Sequence, residues 1–196
     1  MAERTTQKPD LGRQDWIVEA LRALVDGGIE AVRIEPLASR LGVTKGSFYW
    51  HFKDRPALLD ALLSFWEATF TSQLILDTAE LATPQARLRA LARESLVPTV
   101  HGVDNARAEM AMQAWAARDS KVARRLGDID LTRIRYLTDE LEALGFNHAR
   151  AETLAKALYQ AILGLYAARA YNPDIADDAA FLAVLELVLA ETRWNR

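Results

Sequence analysis

Apolar side chains recur along the chain at three- and four-residue spacing, the period of amphipathic helices. Ile17, Ala20, Leu21 and Leu24 mark a first helix over about 14–26, which Gly27-Gly28 ends. Ile29, Val32 and Ile34 then lie beneath two short helices. Pro36 suits a first helical turn, and Leu37, Ala38 and Leu41 follow on one face. Gly42 stops that helix, Val43 plugs the turn, and Thr44 is a natural N-cap for the next. There Phe48 and Phe52, four apart, point inward together.

The pattern continues to the end of the chain. Asp54 and Pro56 open a fourth helix reaching about Asp77 through Leu58, Leu59, Leu62, Leu63, Trp66, Phe70 and Leu74. Thr83-Pro84 opens a fifth that stops near Pro98, and residues 98–104 read as a loop. Asp104-Asn105 begins a sixth, Ser120 caps a seventh running to about Leu144, and Asn147 caps an eighth over 148–171. A ninth covers about 176–193 and is apolar almost all round, so it needs partners on more than one side. The expectation is an all-α protein of about nine helices in three segments: an arm at 1–13, a helix-turn-helix domain at 14–54 and a helical domain at 55–196. The arm is an ordinary frayed terminus, or a basic arm if Arg4, Lys8 or Arg13 reaches DNA.

The second short helix leads with Thr44, Lys45, Gly46 and Ser47 and turns Tyr49, Trp50 and His51 away from Phe48 and Phe52. A helix-turn-helix places such a helix in the major groove with its N-terminal residues at base edges. Lys45 suits guanine O6 or N7, and Gly46 permits close backbone approach. Trp50 reads equally as core and as a wall against phosphate. The run from Leu41 to Leu59 joins a Gly-Val turn, a Phe-Tyr-Trp-His-Phe block and the start of the next helix, Lys-Asp-Arg-Pro-Ala-Leu-Leu. It resembles the DNA-binding signature of the TetR family of bacterial transcriptional regulators, specifically over about 14–63 and only in architecture beyond. The resemblance implies phosphate contacts by Tyr49 and His51. Lys53 and Arg55 follow as clamps on the DNA backbone. Glu35 departs from the pattern, where some members carry a cation or small polar group. A carboxylate there repels phosphate or accepts from cytosine N4, so it is excluded as an affinity residue.

Charge refines this picture. The 196-residue chain is net −3, yet residues 40–55 carry Arg40, Lys45, Lys53 and Arg55 against Asp54 alone. A small basic patch on an acidic body suits a protein that touches DNA with one end. Few glycines and prolines favour helices over sheets. There is no cysteine, hence neither disulfide nor thiolate metal site. No apolar run reaches the roughly 18 residues of a membrane span, and the N-terminus lacks a signal-peptide core. A cytoplasmic protein with no membrane partner is expected.

The last two helices present more apolar surface than a soluble monomer leaves in water. Besides the face of Leu154, Leu158, Ile162 and Leu165, the eighth helix carries a small-residue face of Ala157, Ala161, Gly164 and Ala168. A homodimer through both helices is expected, with Leu158, Ala161, Ile162, Leu165, Ala168, Phe181, Leu185 and Val188 at its interface; the alternative is that one chain covers both faces. By analogy with the family, the second domain binds an unidentified small molecule. Trp66, Phe70, Met110, Gln113, Trp115, Tyr136, Tyr159 and Tyr166 combine aromatic bulk with polar tips, as pockets and cores both do.

Enzyme chemistry finds no footing. His51, His101 and His148 lie in separate elements, and no metal-ligand spacing, glycine-rich phosphate loop or nucleophile elbow occurs. No cofactor or metal is expected. The whole points to a regulator that binds a palindromic double-stranded operator and releases it on binding a small molecule. An activator or architectural protein of the same fold, or a helical carrier or enzyme, stays open.

Overall fold

The computed structural model describes residues 11–191. The expected arm residues Arg4 and Lys8 lie outside them. Among the described residues nine helices follow one another, and contacts divide the chain between Phe65 and Trp66.

The first unit begins with α1, Arg13–Gly27. Its start is held by the Asp15 carboxylate, which accepts from the Gly12 N–H at 2.8 Å. Gly28, at φ 69°, turns the chain out in a conformation costly for any other residue. A single 3-10 turn at Ile29–Ala31 leads into α2, Ile34–Arg40. Gly42, at φ 67°, makes the turn into α3, Lys45–Phe48. Trp16, Leu21, Val32, Leu37 and Phe48 are all fully buried. Trp16 meets Phe48 edge-on with ring centroids 5.3 Å apart, and Phe48 stacks on Phe52 at 5.5 Å. Arg13 belongs to α1 and not to an arm: its guanidinium lies over the Phe52 ring at 4.8 Å.

Helix α4 starts with Arg55–Glu67, widens into a π turn at Ala68–Ser72 and ends with Gln73–Ala79. Its first turn is capped by Asp54, which accepts from the Ala57 N–H at 2.9 Å. The remaining helices are α5, Pro84–Ser95; α6, Asn105–Ala116; α7, Ser120–Ala143; α8, His148–Tyr171; and α9, Asp178–Glu191. Thr83, Asp104 and Asn147 cap α5, α6 and α8 with side-chain oxygens on backbone N–H groups. The cap of α7 is Asp119, not Ser120: its carboxylate accepts from both Lys121 and Val122. The expected loop at 98–104 is a tight hairpin, with β1 (Thr99–Val100) antiparallel to β2 (Val103–Asp104). His101 and Gly102 both take positive φ, the geometry that a two-residue hairpin turn requires.

The second unit's core joins α5, α6, α7, α8 and α9. Leu141 and Leu88 are sealed within it, as are Ala151 and Ala155 of α8. It also contains Leu158, Ile162, Leu165, Phe181, Leu185 and Val188, expected at a dimer interface. These side chains are buried within one chain, as is Ala168, while Ala161 is half-buried. The apolar face of α8 and α9 is therefore used internally. Their outer face holds Ala157 and Gly164 with Ala183, Val184 and Leu187, and Leu187 is 72% exposed. No helix among the described residues is long and apolar enough to cross a membrane.

Replacing Asn147 by Ala removes the acceptor that starts α8 and is expected to cost about 1 kcal/mol. Urea unfolding of the variant checks this, with Asn147→Asp expected to retain the stability.

Candidate DNA-binding surface and ligand cavity

Helix α3 is only four residues long. Beyond it the chain tightens into turns: Tyr49 N–H donates to Gly46 O, Trp50 to Ser47 O and His51 to Phe48 O. Thr44 stands at the N-cap without a side-chain capping bond, so its hydroxyl is not used in starting the helix. Lys45 and Gly46 are exposed beside it and Ser47 is half-buried. Tyr49 is 53% exposed with its ring edge-on to Phe48, and His51 is half-buried. Trp50 is 89% exposed, which removes it from the core. Phe48 anchors this run inward while its neighbours turn out, the arrangement a groove-reading helix needs.

The basic patch is partly spent on the protein itself. Arg40 pairs with Glu19 at 3.3 Å and Asp26 at 3.2 Å. Arg55 is not a free backbone clamp. Its Nε donates to the Val32 carbonyl at 2.6 Å and its Nη2 to that of Ile29 at 2.7 Å, tying the 3-10 turn to the start of α4. A lone arginine at a helix start gives no sign in sequence of that backbone partner. Lys53 stays exposed. Lys45 Nζ lies 2.7 Å from Glu35 Oε1, so the residue set aside as repelling phosphate holds the leading cation of α3. The hydrogen bond and charge of Lys45 lower the Glu35 pKa, and Glu35 raises that of Lys45. Both remain ionised at neutral pH.

The second unit contains a cavity of about 330 Å³, within the range of small-molecule sites. Of the eight side chains proposed for a pocket, Phe70, Tyr136, Tyr159 and Tyr166 line it. The others do not. Trp66 is fully buried and stacks on Phe70 at 4.1 Å; Trp115 is core. Met110 packs against the core cluster, and Gln113 donates to Glu109. Four of the expected dimer residues, Leu158, Ile162, Phe181 and Leu185, form apolar wall instead.

A buried polar group that sequence reasoning missed completes the lining. Arg133 donates to Thr71 Oγ1 (2.8 Å), the Phe70 carbonyl (3.3 Å), Glu109 Oε2 (3.2 Å) and the Tyr159 hydroxyl (3.0 Å). The Tyr159 hydroxyl in turn donates to Asp130 Oδ1 at 2.6 Å. Desolvation works against the Arg133 charge, but Glu109, Tyr159 and Asp130 outweigh it and hold the guanidinium above its usual pKa. Burial pushes the Tyr166 hydroxyl up to about 12 and Tyr159 higher still. Phe70 and Thr71 belong to the π turn, and such turns are frequent at functional sites. Glu109 and Arg133 sit on different helices, 24 residues apart, so their pairing left no local spacing to detect. No group of three or more His, Cys, Asp or Glu among the described residues is placed to hold a metal.

Fold and surface together define a helix-turn-helix protein with a second helical unit built around a cavity. A sequence profile described as bacterial regulatory proteins, tetR family, matches residues 17–62. The tetracycline repressor protein class C of Escherichia coli is 50% identical over 52 residues, 26% of this chain and 24% of that protein. The uncharacterized HTH-type transcriptional regulator TtgW of Pseudomonas putida is 32% identical over 95 residues, 46% of this chain and 71% of that protein. A TetR-family regulator from Streptomyces coelicolor has the same fold with a TM-score of 0.73 at 21% identity, covering 92% of this chain and 89% of that one. The chain belongs to the TetR family of DNA-binding transcriptional regulators, a family of regulators and not of enzymes. The first of these relatives is matched over about a quarter of its length.

Glu35→Gln should free the Lys45 charge, which on random duplex, where no particular base holds it, falls to phosphate. Affinity for random duplex is expected to rise, with the slope of log affinity against log salt steeper by about one. Fluorescence anisotropy across a salt series measures both, and an unchanged slope would show that the pair does not restrain Lys45.

Proposed function

We propose that the protein is a repressor that binds a roughly palindromic operator as a homodimer and leaves it when a small molecule fills the cavity of residues 69–185. The observation that carries this is one chain holding both an anchored helix with an outward polar face and a mostly apolar cavity. Two structures of the same fold hold small molecules: a regulator from Saccharomonospora viridis is in complex with choline, and FadR from Bacillus subtilis with stearoyl-CoA. Their TM-scores are 0.73 and 0.67.

The assigned roles follow from exposure and position. Thr44, Lys45, Gly46 and Ser47 read bases; Tyr49, Trp50, His51 and Lys53 contact phosphate and wall the groove. Arg55 supports the scaffold. Dimerisation uses the outer face of α8 and α9, where Val184 and Leu187 are exposed and the small residues Ala157 and Gly164 allow close approach. Two-fold symmetry then matches two half-sites. Moving the protein from almost fully DNA-competent to almost fully released takes about 5.5 kcal/mol of differential ligand binding.

Selection from a pool of randomised duplexes should enrich one inverted repeat; no enrichment by folded protein would refute sequence-specific regulation. On that repeat, Lys45→Ala is expected to lower operator preference about tenfold, beyond any loss on random DNA. Tyr49→Phe should weaken binding to all sequences alike. Leu187→Glu, placed on an exposed face, is expected to leave the fold intact and shift sedimentation from dimer toward monomer. A variant still wholly dimeric would move the interface elsewhere.

A further inference from the structure

The hydrogen-bonding inventory of the cavity is lopsided. Its strongest donors are committed inside the protein. The Tyr166 hydroxyl donates to the Ser95 carbonyl at 2.5 Å and that of Tyr159 to Asp130. Tyr136 pairs with Thr78 Oγ1, whose own proton faces the Leu74 and Ile75 carbonyls, so Tyr136 is the donor. The Asn105 amide faces the Ser95 and Val97 carbonyls and the Tyr166 oxygen. Gln73 donates to Asp77, and Arg133 is engaged on several sides by the contacts described above.

Acceptors are left over. A carboxylate offers about four lone-pair directions. Glu109, only 3% exposed and lining the cavity, receives Arg133 on Oε2 and Gln113 on Oε1. Charge leans the same way, because Asp77, Glu94 and Glu109 line the cavity against Arg133 alone. The rest of the wall is mostly aliphatic and aromatic. An anionic ligand seated on Arg133 would compete with Glu109 for the guanidinium and bring a second negative charge beside that buried carboxylate, which is unfavourable. A ligand that brings its own protons and positive charge meets no such obstacle.

We propose that the cavity takes an apolar molecule carrying a protonated amine, seated with its N–H groups on Glu109. This rests on the cavity being the effector site. It specifies the chemistry of the effector: an aliphatic or aromatic body filling the wall of Leu158, Ile162, Phe181 and Leu185, and one ammonium at the Glu109 end.

The test compares n-decylamine, n-decanol and decanoate, below their micelle concentrations, by calorimetric titration into the full-length protein at neutral pH. Decylamine is expected to bind about tenfold or more tighter than decanol, which corresponds to about 1.4 kcal/mol, with decanoate weakest. Glu109→Gln, its fold checked by circular dichroism, should bind decylamine no tighter than decanol. If the variant does not fold, the ranking on the natural protein decides. Equal binding of all three, or decanoate tightest, would overturn the amine assignment and leave the effector-site assignment standing. Binding of none by folded protein would overturn both.

Discussion

A helix of four residues cannot hold itself in water, because nucleating a first turn costs more than its few hydrogen bonds return. Helix α3 therefore depends on one buried ring. Phe48 is fully buried against Trp16 of α1 and stacks on Phe52, and with that ring inward Lys45, Tyr49 and Trp50 are left exposed. The glycines at 28 and 42 bring α1, α2 and α3 around this ring by taking positive φ. Arg55 ties the turn between α1 and α2 to the start of α4 through two backbone carbonyls. An outward polar surface is thus produced by packing on its reverse side.

In the second unit a buried charge plays the corresponding part. Arg133 joins the π turn of α4 to α6 and α8 through Phe70, Thr71, Glu109 and Tyr159. Buried ion pairs of this kind are poor sources of stability but costly to break singly. The cavity wall therefore keeps its polar arrangement while its apolar part stays open to occupants of suitable shape.

Much of this was legible in the sequence because it is local. The Phe48–Phe52 spacing, the Gly42 turn, the Asn147 cap and the bounds of α8 follow from neighbours a few residues apart. The short hairpin at 99–104 was read as a loop, because two-residue strands carry too little pattern to register. Trp16 escaped the predicted stripe of α1, though it fills the centre of that core. Long-range partnerships were not legible: Lys45 with Glu35, Arg55 with backbone carbonyls, Arg133 with Glu109. The last two helices illustrate the limit best. Their period identified an apolar face correctly, but period cannot say whether the partner is the same chain or another. Leu158, Phe181 and Leu185 turned inward, and the face left outside is the one with the smaller residues and Leu187.

In the proposed dimer two copies of α3 enter successive major grooves on one face of DNA. Hydroxyl-radical footprinting of the natural protein on its selected duplex tests this most directly. Two protected segments are expected, symmetric about a dyad and separated by one helical turn of about 10–10.5 base pairs, or a multiple of it. A single asymmetric footprint, or protection spread evenly along the duplex, would contradict it.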